Sequence, residues 1–139
     1  MKKLIYVVDD DPVYLKMMEG HFKQMAEYEA KVFKSGPEAI KALSETVPFA
    51  ILLDHQFLND PQKTGLDYLK EIRKMDSKVP VIYITSTEDK EIQAKAAKLK
   101  VNGYIFKDGA SLVHLRVAFD KIVNQSKDKG GVFSKLFKK

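Results

Sequence analysis

Five short strand-like runs alternate with five amphipathic stretches along this chain of 139 residues, and each run is followed by a polar residue. The first run, Leu4 to Val8, is nearly continuous and β-branched, the pattern of a strand buried on both faces. It stops at three carboxylates, Asp9-Asp10-Asp11. Asp11-Pro12 then opens a helix, a capping carboxylate followed by proline at the first helical position, with Leu15, Met18, Phe22 and Met25 as its apolar stripe. Further strands are expected at Tyr28 to Phe33, Pro48 to Leu53, Pro80 to Ile84, and Asn102 or Gly103 to Phe106. The helices between and after them begin at Ser35-Gly36-Pro37, at Gly65, at Glu88 and at Ser111, the last ending near Asn124. Their inward residues are Ala39, Ile40 and Leu43; Leu66, Leu69 and Ile72; Ile92, Ala96 and Leu99; and Leu112, Leu115, Phe119 and Ile122.

Strict strand–helix alternation selects an α/β fold, a doubly wound five-stranded parallel sheet with helices on both faces. In such sheets ligands bind beyond the carboxyl ends of the strands. The residues there are Asp9, Asp10 and Asp11 after the first strand, Asp54 after the third, Thr85 after the fourth and Lys107 after the fifth. Side by side they make a pocket of carboxylates, one hydroxyl and one ammonium. Crowded carboxylates need a compensating cation, and an oxygen-only donor set favours Mg²⁺ over zinc. An aspartate held there can act as a nucleophile toward phosphorus, with Thr85 and Lys107 neutralising the phosphoryl oxygens. Asp11, beside Pro12, is read as a helix cap rather than a ligand.

Composition narrows the chemistry further. With no cysteine in the chain, disulfides, thiolate metal sites and cysteine nucleophiles are excluded. The formal charge of +5 suggests an anionic partner until it is located. Lys127, Lys129, Lys135, Lys138 and Lys139 against Asp128 give the last thirteen residues a net +4, so the rest carries about +1. The basic character belongs to an appendage. The opening residues carry carboxylates where a signal peptide needs an apolar core, which sets the expectation of a cytoplasmic protein.

Taken together, Tyr6-Val7-Val8-Asp9-Asp10-Asp11-Pro12, Ile51-Leu52-Leu53-Asp54, Pro80-Val81-Ile82-Tyr83-Ile84-Thr85-Ser86 and Gly103-Tyr104-Ile105-Phe106-Lys107 resemble the receiver domain of bacterial response regulators. The resemblance covers about residues 3 to 125. It implies a flavodoxin-like receiver domain over 1–125 and a basic linker and tail over 126–139. It implies that Asp54 is the phosphoryl acceptor, and that Asp9, Asp10, Asp54 and the backbone carbonyl of Gln56 hold Mg²⁺. Thr85 and Lys107 would bind the phosphoryl group, and Tyr104 would be the aromatic that moves with the threonine. The implied partners are a sensor histidine kinase or phosphotransfer protein and a downstream protein not identified by sequence. No DNA-binding module follows residue 125, so the expectation is a stand-alone, chemotaxis-regulator-like signalling protein rather than an enzyme.

Three positions depart from the family pattern. The loop from His55 to Thr64 is a few residues longer than usual and carries Phe57, Leu58 and Pro61. Lys107 is followed by Asp108, where many receivers have proline. Gln56 and Thr87 occupy positions that tune dephosphorylation. His55, next to the acceptor, is read as a packing or loop histidine rather than an internal phosphohistidine. Two other readings stay open: a receiver-like binding module that works without phosphorylation, and a small phosphatase with an aspartyl nucleophile. In the tail, Phe133, Leu136 and Phe137 share a face if helical, a small anchor for a membrane or protein contact through 127–139, against the plainer reading of a disordered end.

Overall fold

The computed structural model describes the backbone of residues 2–138 and the side chains of residues 2–125. Five parallel strands form one sheet in the order β2-β1-β3-β4-β5: β1 (Lys3–Val8), β2 (Tyr28–Phe33), β3 (Ala50–Asp54), β4 (Val81–Thr85) and β5 (Gly103–Phe106). The connecting helices are α1 (Pro12–Lys23), α2 (Gly36–Glu45), α3 (Gly65–Met75), α4 (Lys90–Lys98) and α5 (Ser111–Lys138). The doubly wound fold expected from the alternation is the one observed.

Side-chain alternation splits the core in two. Tyr6, Val8, Ile51, Leu53, Val81 and Tyr83 pack under α2, α3 and α4. Ile5, Val7, Ala50, Leu52, Ile82 and Ile84 pack under α1 and α5, where Met18, Phe22 and Phe119 are almost fully buried. Both faces of the three central strands are therefore covered, which is why they read as unbroken apolar runs.

The helix starts follow local chemistry. The Asp11 carboxylate accepts from the Val13 N–H, so the residue read as a cap is one. Ser35 and Asp89 cap α2 and α4 in the same way. Thr64 and Asp67 form a reciprocal capping box at α3. The next residue must be glycine. A Cβ on Gly65 would run into the Asp54 carbonyl and the Tyr83 hydroxyl.

Helix α5 continues to Lys138, past the end expected near Asn124: no proline interrupts it, and Gly130 and Gly131 weaken a helix without ending it. The proposed boundary at 125/126 and the contacts of Phe133, Leu136 and Phe137 lie outside the described side chains. Among the described residues, no helix is long and apolar enough to cross a membrane.

Candidate functional site: an acidic pocket at the strand ends

Parallel register brings the ends of β1, β3 and β5 together. Val8 pairs with Leu53, and Asp54 pairs with Ile84, so the residues just beyond the strands share one rim. Oxygens of Asp9, Asp10 and Asp54 all lie within 4.8 Å of one another. From the opposite side the Lys107 ammonium reaches Asp9 Oδ2 at 2.5 Å and Asp54 Oδ1 at 3.2 Å. Asp9 Oδ1 accepts from the Asp11 N–H at 2.9 Å, which fixes the carboxylate plane.

Burial dominates the electrostatics. Asp9 is 1% and Asp54 6% exposed. Loss of water, with Asp9 nearby, pushes Asp54 up to about 7 even though Lys107 pulls the other way. Asp9 is raised by the same burial, against its hydrogen bonds from Lys107 and the Asp11 N–H. Burial works against the Lys107 ammonium as well, but the two carboxylates outweigh it and hold its pKa above the usual value. The three carboxylates outnumber the one ammonium by two charges, the charge of one divalent cation. Their all-oxygen donor set suits Mg²⁺.

Tyr14 was not singled out by sequence reasoning. Its ring centroid lies 4.3 Å from the Lys107 ammonium, and the two residues line a neighbouring cavity together with Asp108 and Leu112. Burial beside Asp9 and Asp54 raises its phenol, which stays protonated. The α1 spacing that buries Leu15 and Met18 turns Tyr14 toward the strand ends, a signal visible only once the helix is placed.

Thr85 is fully buried at the end of β4, and its carbonyl accepts from the Lys107 N–H at 2.9 Å. Its hydroxyl is occupied locally, accepting from the Thr87 N–H at 3.1 Å. Tyr104 on β5 stacks on Tyr83, with ring centroids 5.8 Å apart and planes 16° apart. Among the described residues, the buried Tyr104 hydroxyl has no hydrogen-bond partner. Gln56 is exposed and pairs with Thr64 across the base of the loop.

His55 goes the other way. Side-chain alternation along β3 puts Leu53 and His55 on the α3 side, opposite Asp54. Its Nδ1 lies 2.6 Å from the buried Tyr83 hydroxyl, and burial depresses its pKa. It is a packed core histidine, in keeping with the plain reading.

The family model for the response regulator receiver domain matches residues 5–118. This chain belongs to that family. Receiver domains are regulatory signalling modules of two-component systems. The transcriptional regulatory protein PrrA of Mycobacterium leprae is 28% identical over 103 residues, covering 74% of this receiver chain and 42% of the relative. The chain thus spans less than half the length of that relative. Among solved structures, the CheY-like receiver domain protein from Methanospirillum hungatei superposes with a TM-score of 0.81 at 20% identity, covering 92% of this chain and 99% of that one. The phosphorylated cyanobacterial phytochrome response regulator RcpA superposes with a TM-score of 0.70 at 23% identity, covering 85% and 89%. At these identities the structural likeness concerns the fold.

Proposed function

We propose that this receiver domain takes a phosphoryl group onto Asp54 from a phosphohistidine of a sensor histidine kinase or phosphotransfer protein. The observation that carries the reading is Lys107 bridging Asp9 and Asp54 beside Asp10 in one buried pocket. Asp9, Asp10, Asp54 and the Gln56 carbonyl would hold Mg²⁺. When bound, the cation supplies the charge that keeps the carboxylates ionised and neutralises the incoming phosphoryl oxygens. An Asp54 oxygen attacks phosphorus, the bond from phosphorus to the histidine nitrogen breaks, and the imidazole leaves with that electron pair. Lys107 then exchanges Asp54 for a phosphoryl oxygen while keeping Asp9.

The new group brings roughly −1.5 to −2 charge and three acceptor oxygens. Thr85 gives up its Thr87 contact to donate to one of them, and the space it leaves admits Tyr104. The surface of α4, β5 and α5 changes and binds a downstream protein, or the phosphoryl group passes onward. The domain is a cytoplasmic switch and not an enzyme, and the basic tail at 127–139 adds a weak contact to an anionic membrane or a protein.

The test uses acetyl phosphate or beryllofluoride with Mg²⁺ on the wild type and Asp54→Asn. NMR signals of Tyr104 and β5 should shift in the wild type alone. Equal silence in both proteins, or sustained hydrolysis of phosphomonoesters, overturns the reading.

A further inference from the structure

The long loop after β3 is an ordered structure with several independent anchors. Phe57 is 3% exposed and meets the Tyr68 ring edge-on, with centroids 5.2 Å apart. The Tyr68 hydroxyl donates to Asp60 Oδ2 at 2.5 Å, and the Asn59 side-chain amide donates to the Lys34 carbonyl at 3.0 Å. Gln56 and Thr64 close the base, and two turn bonds, Asp60 N–H to Phe57 O and Lys63 N–H to Asp60 O, are each 3.0 Å long. These anchors aim two backbone amides at the acidic pocket. The N–H groups of Leu58 and Asn59 donate to Asp10 Oδ2 at 2.6 and 3.3 Å. Leu58 itself is 84% exposed, so its contribution comes from the backbone and not from side-chain burial.

We infer that the Leu58–Asn59 segment positions Asp10 as a metal ligand: its two amides fix one carboxylate oxygen and leave Oδ1 for the cation. This rests on the Mg²⁺ reading of the site given above. Asp10 is the least buried of the three carboxylates and makes no ion pair with Lys107, so among the described residues the loop amides are what orients its carboxylate. Holding a ligand carboxylate through its second oxygen is how outer-shell partners set ligand orientation, and losing such a partner costs about tenfold or more in metal affinity. The loop carries the amides from β3 to Asp10 and ties them through Asn59 to the β2–α2 turn at Lys34.

Mg²⁺ and Mn²⁺ affinities, measured by calorimetry on the full chain, test this with the pair Leu58→Pro and Leu58→Ala. Both remove the exposed side chain, and only proline removes the N–H. Leu58→Pro should bind about tenfold more weakly than Leu58→Ala. Equal or tighter binding by Leu58→Pro overturns the inference while leaving the metal site standing. Absence of Mg²⁺ binding in the wild type overturns the metal reading itself, and this inference with it. If Leu58→Pro does not fold, wild-type amide exchange decides. The Leu58 and Asn59 protons should stay protected when Mg²⁺ saturates the site, and loss of protection would mean that the loop competes with the cation.

Discussion

Lys107 and Asp9 form an ion pair with Nζ 2.5 Å from Oδ2, joining β5 to β1 across 98 residues of sequence. Asp9 is nearly sealed from water, and only 19% of the Lys107 side chain is exposed. Breaking a buried pair on one side leaves an uncompensated charge, at a cost of about 3–5 kcal/mol. In Lys107→Met, with no metal present, we expect a loss of about 3 kcal/mol in urea unfolding at pH 8. Saturating Mg²⁺ should return part of it. A variant as stable as the wild type would mean that the pair contributes nothing to folding.

Asp54 sets the pH dependence. Its carboxyl is held at about 7 in the fold, above its ordinary value of 3.8. Between those values the folded state carries the extra proton, so stability falls as pH rises from about 4 to 7. The burial penalty is then fully present only above about pH 7 in the metal-free protein. Asp54→Asn removes the ionisable group, so it should stabilise the metal-free protein at pH 8 by of order 2 kcal/mol and flatten the slope between pH 4 and 7. Denaturant midpoints across that range check both effects, and an unchanged slope contradicts the assignment.

Tyr83 links the histidine beside Asp54 to the aromatic on β5. Its hydroxyl meets His55 Nδ1 at 2.6 Å, and its ring stacks on Tyr104. Tyr83→Phe keeps the stack and strands a buried histidine nitrogen, which costs about 1–3 kcal/mol. Thermal unfolding should register that loss, while the aromatic signals of Tyr104 stay near their wild-type positions. Movement of Tyr104 as large as the one produced by beryllofluoride would show that the hydroxyl, not the ring, holds it.

Arg73 closes the far end of the domain. Its guanidinium donates to the carbonyls of Leu99 at 2.7 Å, Val79 at 2.7 Å and Lys100 at 2.9 Å. This ties α3 to the start of β4 and to the turn after α4, where Lys100 takes a positive φ of 60°. Arg73→Ala should cost about 2 kcal/mol, since hydrogen bonds from a charged donor each contribute about 1.5–3 kcal/mol when intact and solvent screens those at the exposed rim. Amide exchange at Leu99 and Lys100 should speed up before that of β4. Uniform acceleration would place the effect elsewhere.

What the sequence disclosed depended on range. Runs such as Leu4 to Val8, and caps such as Asp11 before Pro12, are local signals, and they located the elements to within a few residues. The strand-end rule then brought Asp9, Asp10, Asp54 and Lys107 into view, because parallel strands present their carboxyl ends on one rim. Contacts set by tertiary placement were invisible. Tyr14 beneath Lys107, His55 against Tyr83 and the loop amides on Asp10 each join segments with no periodic relation. The length of α5 was misjudged for a different reason. Gly130 and Gly131 suggest a break, yet glycine only weakens a helix and does not end it.

In the proposed function, Asp54 is the residue that carries the phosphoryl group. Intact-mass measurement after incubation with a phosphorylated histidine donor and Mg²⁺ tests it most directly. The wild type should gain the mass of one phosphoryl group, hydroxylamine should remove it as expected for an acyl phosphate, and Asp54→Asn should gain none. Phosphorylation of Asp54→Asn to the wild-type extent, or a stable adduct on any other residue, would contradict the account.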